Sequence, residues 1–241
     1  MIGLIAAFII AMALSVMGTP LLIRFLVLHH YGQFIRQDGP TQHLTKRGTP
    51  TMGGVVIILA TVVAWLIGAL VAGAGPSWSG ILLAFLFVGL GTIGLLDDGI
   101  KIMRQRSLGL HPSGKIVGQV AVASLFAGGT LIRPNEFGEL AGTLEISLAR
   151  PTPLTLGFAG MAIGVILYLI WTNLIVTAWS NATNLTDGLD GLAAGVSIFV
   201  FGAYTFIAYF QRIQACTQPD VNRAACYSTR DPLDLAIFCA A

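Results

Sequence analysis

IGLIAAFIIAMALSVMGTPLLIRFLVL, residues 2–28, is almost wholly apolar, with Arg24 its one charge and Ser15 and Thr19 its only other polar side chains. A helix that crosses the hydrocarbon core of a bilayer needs about 20 mostly apolar residues, so this stretch is long enough to span. It lacks a basic N-terminal segment and a small-residue cleavage pattern, which separates it from a signal peptide. It reads as a retained span with a kink expected at Gly18 and Pro20. Five more runs of the same character follow, at 51–71, 78–96, 116–132, 154–179 and 191–210. None shows the short alternating pattern of an outer-membrane barrel. A further run begins near Leu233 and reaches Ala241, too short to cross a bilayer.

Composition agrees with this reading. Of 241 residues, 55% are hydrophobic and only 10% charged, against roughly 25% charged in an ordinary soluble domain. The mean hydropathy is +0.81. So few charges cannot cover the surface of a water-soluble globule, and disorder requires the opposite balance. A net charge of +2 is too small for a nucleic-acid binder. Three cysteines make no disulfide framework. The expectation is an all-α polytopic membrane protein: six full transmembrane helices, the start of a seventh, and one domain over 1–241. The aborted last run makes a chain cut short at its C-terminal end the favoured expectation.

Cation placement sets the expected orientation, because Lys and Arg accumulate on the cytoplasmic side. One side carries eight: Arg24, Arg36, Lys46, Arg47, Lys101, Arg104, Arg106 and Lys115. The other carries five: Arg133, Arg150, Arg212, Arg223 and Arg230. The first side is expected to be cytoplasmic and the N-terminus outside. On the outer side, residues 133–153 alternate with turn residues and suit a small hairpin. An oxidising exterior permits a bridge between Cys216 and Cys226, with two separate thiols the open alternative. Cys239 lies in apolar sequence and reads as packing.

Three polar clusters interrupt the apolar pattern, all on the side expected to be cytoplasmic. The first is Asp97-Asp98-Gly99-Ile100-Lys101 at the inner end of the third span. Adjacent carboxylates at a membrane boundary are costly without a compensating cation. Mg²⁺ suits them, particularly where substrate phosphates complete its shell. The alternative is a solvated helix end. The second cluster contains Asn184, Asp187 and Asp190, spaced so that a helix would put all three on one face. The plain alternative is a polar connector, which on this side would more often be rich in Lys or Arg. The third is Lys46-Arg47-Gly48-Thr49-Pro50-Thr51-Met52-Gly53-Gly54, where glycines and a helix start favour an anion. On its own it equally describes an interfacial anchor with snorkelling bases. All four histidines, His29, His30, His43 and His111, fall on the same side. Together the clusters point to a phosphorylated, water-soluble substrate, with a second substrate reached from the bilayer.

Asp97-Asp98-x-x-Lys101, the run from Asn184 to Gly191, and Gly48-Thr49-Pro50-Thr51-Met52-Gly53-Gly54 resemble the polyprenyl-phosphate N-acetylhexosamine-1-phosphate transferases. Arg36-Gln37-Asp38-Gly39-Pro40 followed by His43 resembles the branch that makes lipid I for peptidoglycan. The resemblance covers the chain in matching order. It implies a Mg²⁺-dependent transfer of phospho-N-acetylmuramoyl-pentapeptide from UDP onto undecaprenyl phosphate, releasing UMP. It also implies a bacterial cytoplasmic membrane, an active face on the cytoplasmic side and no nucleic-acid partner, and it leaves a homodimer open. Carried over residue by residue, Asp97, Asp98 and Lys101 take catalytic positions, with Asp97 and Asp98 as metal ligands. Lys46, Thr51, Lys115, Asn184, Asp187 and Asp190 take substrate-binding positions. The family's Gly-Asp-x-Gly-Ser motif, which brings a third aspartate, and its histidine-rich loop are not found here, so a third ligand is expected beyond Ala241. The competing expectations are the sister branch that transfers N-acetylglucosamine-1-phosphate, and an ion-coupled transporter. A transporter would place its carboxylates near the membrane midplane rather than at one face.

Overall fold

The computed structural model describes residues 1–29, 31–32, 50–106, 108–135, 138–147, 151–188, 191–218, 220–222, 226 and 229–241. Its elements are α1 (Ile2–Leu28), α2 (Gly54–Val71), α3 (Trp78–Met103), α4 (Pro112–Thr130), β1 (Glu145–Ser147), β2 (Pro151–Thr155), α5 (Met161–Thr186), α6 (Leu192–Ile213) and α7 (Pro232–Ala240). α1 runs unbroken through Pro20. β1 and β2 form the expected antiparallel hairpin.

Five helices are long and apolar enough to cross a membrane: α1, α2, α3, α5 and α6. The sequence reading expected six. The difference is α4, whose apolar residues are diluted by Lys115, Gln119, Ser124 and several glycines. Its direction is nonetheless clear. At one end of α3, Trp78 Nε1 donates to the Gly129 carbonyl near the end of α4 at 3.0 Å. At the other end, the Leu110 N–H, just before α4, donates to Asp97 at 2.8 Å. α4 therefore runs antiparallel to α3 over most of its length.

α5 then runs antiparallel to α4, joined by side-chain rungs. Thr130 Oγ1 and the Tyr168 hydroxyl lie 2.8 Å apart. Asn173 Nδ2 donates to Ser124 Oγ at 3.0 Å. Gln119 meets Ser180 and Asn181 nearest the α4 start. The polar residues of α4 thus face protein rather than lipid, as buried polar groups in hydrocarbon must.

The remaining helices pack around a core of Ala7, Trp65, Ala84, Ile237 and Phe238. Phe238 meets the edges of Trp65 and Phe87, with ring centroids 6.0 and 5.4 Å away. α1 and α2 approach at small residues. A Cβ on Gly68 would lie 2.9 Å from Ala7 Cβ, closer than real side chains come. Such close backbone approach is how helices pack where lipid removes the hydrophobic drive to associate.

The short final run is the helix α7, seated in this core by a carboxylate. Asp234 is only 6% exposed. It accepts from Trp65 Nε1 at 2.7 Å and from the Ser77 N–H at 2.8 Å. Nearby, Ser79 Oγ donates to Asp231 Oδ2 at 2.5 Å. Cys216 and Cys226 are disulfide-bonded in the α6–α7 connection, which decides between the two alternatives left open by the sequence. α5 and α6 expose large apolar side chains along much of their length, among them Ile166, Ile170, Leu174, Phe199 and Phe206. In water such a surface would aggregate; in a bilayer it faces lipid.

Candidate active site

The alternating helix directions bring one set of ends together: the close of α3, the start of α4 and the close of α5. Asp97 and Asp98 sit in the last two turns of α3. Adjacent residues on a helix point about 100° apart, yet Lys101, at i+4 and i+3, reaches both. Its Nζ lies 2.7 Å from Asp97 Oδ2 and 2.9 Å from Asp98 Oδ1. Asp97 is the more enclosed, with its side chain 18% exposed against 34% for Asp98.

The α3–α4 loop folds back over this pair. The Leu110 N–H gives Asp97 Oδ1 its second partner at 2.8 Å. Gly109 permits the approach, since a Cβ there would lie 2.7 Å from both Asp97 Cγ and the Asp97 carbonyl oxygen. His111, in extended conformation, then caps α4, with Pro112 in the first turn. One turn into α4, Lys115 is close enough to act electrostatically on Asp97. Two carboxylates and two cations thus share one helix end.

Thr51 and Met52 approach from the entry to α2. Met52 has a positive φ of 69°, and its Cε would lie 3.7 Å from a Cβ on Gly99. The Thr51 hydroxyl oxygen is buried with no hydrogen-bond partner among the described residues. Buried hydroxyls are rarely left so, and a bound ligand is one way to satisfy one. Lys46 lies outside the described residues.

Asn184 stands exposed in the last turn of α5, and Asp187 is the residue that closes the helix. The helical spacing expected of them holds to that point. Asp190 lies outside the described residues. Among the described residues, Asn184 and Asp187 make no side-chain bond to the α3 carboxylates; α4 stands between α3 and α5.

Among the described residues no group of three His, Cys, Asp or Glu side chains converges as a metal cage. Two hard carboxylates at an open helix end still fit a cation that takes its remaining ligands from phosphate and water.

Sequence reasoning missed two contributors. The Leu110 N–H is a backbone donor and left no compositional trace. Gln119 did leave one, as a polar residue inside an apolar run, where a polar side chain in a membrane helix signals an internal partner.

Residues 78–229 match the model of glycosyl transferase family 4. Residues 46–58 match phospho-N-acetylmuramoyl-pentapeptide-transferase signature 1. The chain is 53% identical to the phospho-N-acetylmuramoyl-pentapeptide-transferase of Beutenbergia cavernae, over 100% of this chain and 67% of that one. It is 51% identical to that of Paenarthrobacter aurescens, with the same coverage of each. It is 47% identical to that of Streptomyces griseus, over 96% of this chain and 64% of that one. The family model covers α3 to α6 and the signature covers the entry to α2, so the helix ends described above fall within the matched segments or border them. The chain belongs to glycosyl transferase family 4, in its phospho-N-acetylmuramoyl-pentapeptide-transferase branch.

Proposed function

We propose that the end of the helix group formed by α3, α4 and α5 is where phospho-N-acetylmuramoyl-pentapeptide is transferred from UDP to undecaprenyl phosphate, giving lipid I and UMP. A phosphate oxygen of the lipid attacks the sugar-side phosphorus of the donor. The bond from that phosphorus to the bridging oxygen breaks, and the oxygen leaves with UMP. The observation that carries this reading is the pairing of Asp97 and Asp98 through Lys101, with Lys115 on the first turn of α4 acting electrostatically on Asp97, in a chain that matches the branch signature at 46–58. That match favours this branch over the sister N-acetylglucosamine-1-phosphate transferases.

Each group has a chemical task. Asp97, held by Lys101 and the Leu110 N–H, keeps its position as charges move around it. Asp98 is the more open carboxylate and offers oxygen to the reacting phosphates' counter-ion. Lys101 and Lys115 balance charge on the pyrophosphate as it develops. Asp97 and Asp98 would hold Mg²⁺, which supplies Lewis-acid stabilisation of the phosphoryl oxygens when bound. Asn184 and Asp187 bind the nucleotide half together with Asp190, while Thr51 and Lys46 border the pocket. The Thr51 hydroxyl, without a hydrogen-bond partner among the described residues, gains one there.

The same reading makes α4 a sixth crossing and puts the Asp97 end on the cytoplasmic side of the bacterial inner membrane, with the N-terminus outside. The disulfide supports this orientation. Cys216 and Cys226 follow the end of α6 remote from Asp97, where an oxidising exterior would maintain the bridge. The test is transferase assay of the full-length protein in membranes with both UDP-N-acetylmuramoyl-pentapeptide and UDP-N-acetylglucosamine. Lipid I formation from the first alone is expected. Turnover of the second alone would replace this reading with the sister branch.

A further inference from the structure

Gln119 is a buried polar side chain to which the chemistry above gives no part. It is 1% exposed, and it and Ile237 are the largest fully enclosed side chains of the described residues. A primary amide buried in a membrane helix pair is costly unless both its ends are paired. Both are. Nε2 donates to Ser180 Oγ at 2.9 Å, and Oε1 accepts from Asn181 Nδ2 at 3.0 Å. Asn181 is held in turn by donating to the Thr177 carbonyl of its own helix at 2.8 Å.

The two partners are consecutive residues of α5. Consecutive side chains leave a helix about 100° apart, so one amide bonded to both restrains the rotation of α5 as well as its distance. The other rungs, Ser124–Asn173 and Thr130–Tyr168, each tie one residue to one and constrain distance alone. Gln119 is also the rung nearest the site. Lys115 is one turn before it on α4, and Asn184 is about one turn after Asn181 on α5.

We propose that Gln119 is a positioning residue for the nucleoside diphosphate donor. It sets the rotation and height of the last turn of α5 against the first turn of α4. It thereby sets the distance between the pyrophosphate-binding end, at Lys115 and Asp97, and the nucleoside-binding end, at Asn184 and Asp187. The inference rests on the proposed function and adds to it a residue that touches neither substrate.

The test uses the full-length enzyme with Gln119→Leu, which keeps bulk and removes both bonds, and Gln119→Glu. Away from water the Glu carboxyl is held neutral, and its O–H and C=O then reproduce the donor and acceptor of the amide. The Leu variant is expected to raise KM for the UDP-sugar about tenfold, the equivalent of one to two neutral hydrogen bonds. KM for undecaprenyl phosphate is expected to stay within about twofold, and the Glu variant to restore the donor KM. Adding Gln119→Leu to Asn184→Ala is expected to raise the donor KM little beyond Asn184→Ala alone, because the two act on one contact. If Gln119→Leu does not accumulate, Ser180→Ala removes one bond, and about a threefold rise in donor KM is expected. Equal changes in both KM values, or lower thermal stability with an unchanged donor KM, would overturn the inference. So would full additivity with Asn184→Ala. If Asp98→Asn is inactive while Gln119→Leu behaves as wild type, this inference fails and the proposed function stands. If Asp98→Asn retains full turnover, the proposed function itself fails.

Discussion

The Leu110 N–H donates to Asp97 Oδ1 across thirteen residues of chain, at 2.8 Å. Through this bond the α3–α4 loop holds the more enclosed of two adjacent carboxylates, while Lys101 holds the other oxygen at 2.7 Å. Asp97 is thereby fixed at both oxygens, and Asp98 shares only the lysine.

Asp98→Asn preserves shape and removes the charge. Turnover in the full-length enzyme is expected to fall by at least about 10²-fold with protein level intact, the range for losing a group that acts on charge at the reacting centre. Lipid I formation in membranes measures it. Turnover within a few-fold of wild type would remove Asp98 from the chemistry.

Gly109→Ala tests the loop. The new Cβ would meet Asp97 at 2.7 Å, so the loop must shift and the Leu110 bond must lengthen. A hydrogen bond to a charged group is worth about 1.5–3 kcal/mol, enough to lower turnover by roughly ten- to hundredfold if Asp97 is released. Gly114→Ala is the control, since its Cβ would lie 4.0 Å from the Leu110 side chain, an ordinary contact. Equal behaviour of the two variants would show that the loop does not hold the carboxylate.

Asp234→Ala strands the Trp65 indole N–H and the Ser77 N–H together. The buried Trp65 N–H left unpaired costs about 1–3 kcal/mol, the half-buried Ser77 N–H adds less, and α7 loses its seat. Thermal unfolding in detergent is expected to move down clearly. Trp65→Phe removes one donor along with its need for a partner, and is expected to cost less. A larger loss for Trp65→Phe would place the stabilisation in the Trp65 ring packing instead.

Orientation can be read by thiol labelling with a membrane-impermeant reagent. Leu108→Cys lies beside the carboxylates and Glu145→Cys lies on the hairpin, and both positions are exposed. Labelling of Glu145→Cys in intact cells, and of Leu108→Cys only after permeabilisation, is expected. Cys216 and Cys226 should react only after reduction. The reverse pattern would invert the topology.

Much of the architecture was legible in the residue order because hydrocarbon leaves few choices. Long apolar runs must be helical there, since every backbone group has to be paired within the segment. The hairpin at 145–155 could be read from alternation and turns. The α4 helix was read as one more span, although it is too polar for lipid on every side. Its polar face made sense only when Ser124 met Asn173 and Gln119 met Ser180 and Asn181. Partners about fifty to sixty residues apart in sequence leave no mark in local periodicity.

By itself the sequence determined that the chain lives in a membrane, that its polar clusters interrupt the apolar runs at their ends, and that Asp97, Asp98 and Lys101 occupy one helix end. Hydropathy, alternation of sides and helical spacing are local or cumulative properties, and they survive without coordinates. Only the tertiary structure decided how the Leu110 N–H fixes Asp97, how Asp234 seats α7 between Trp65 and Ser77, and how Gln119 couples α4 to α5. Each depends on a backbone group or on a residue far along the chain. Hydrogen bonds act over about 3 Å in space whatever the separation in sequence.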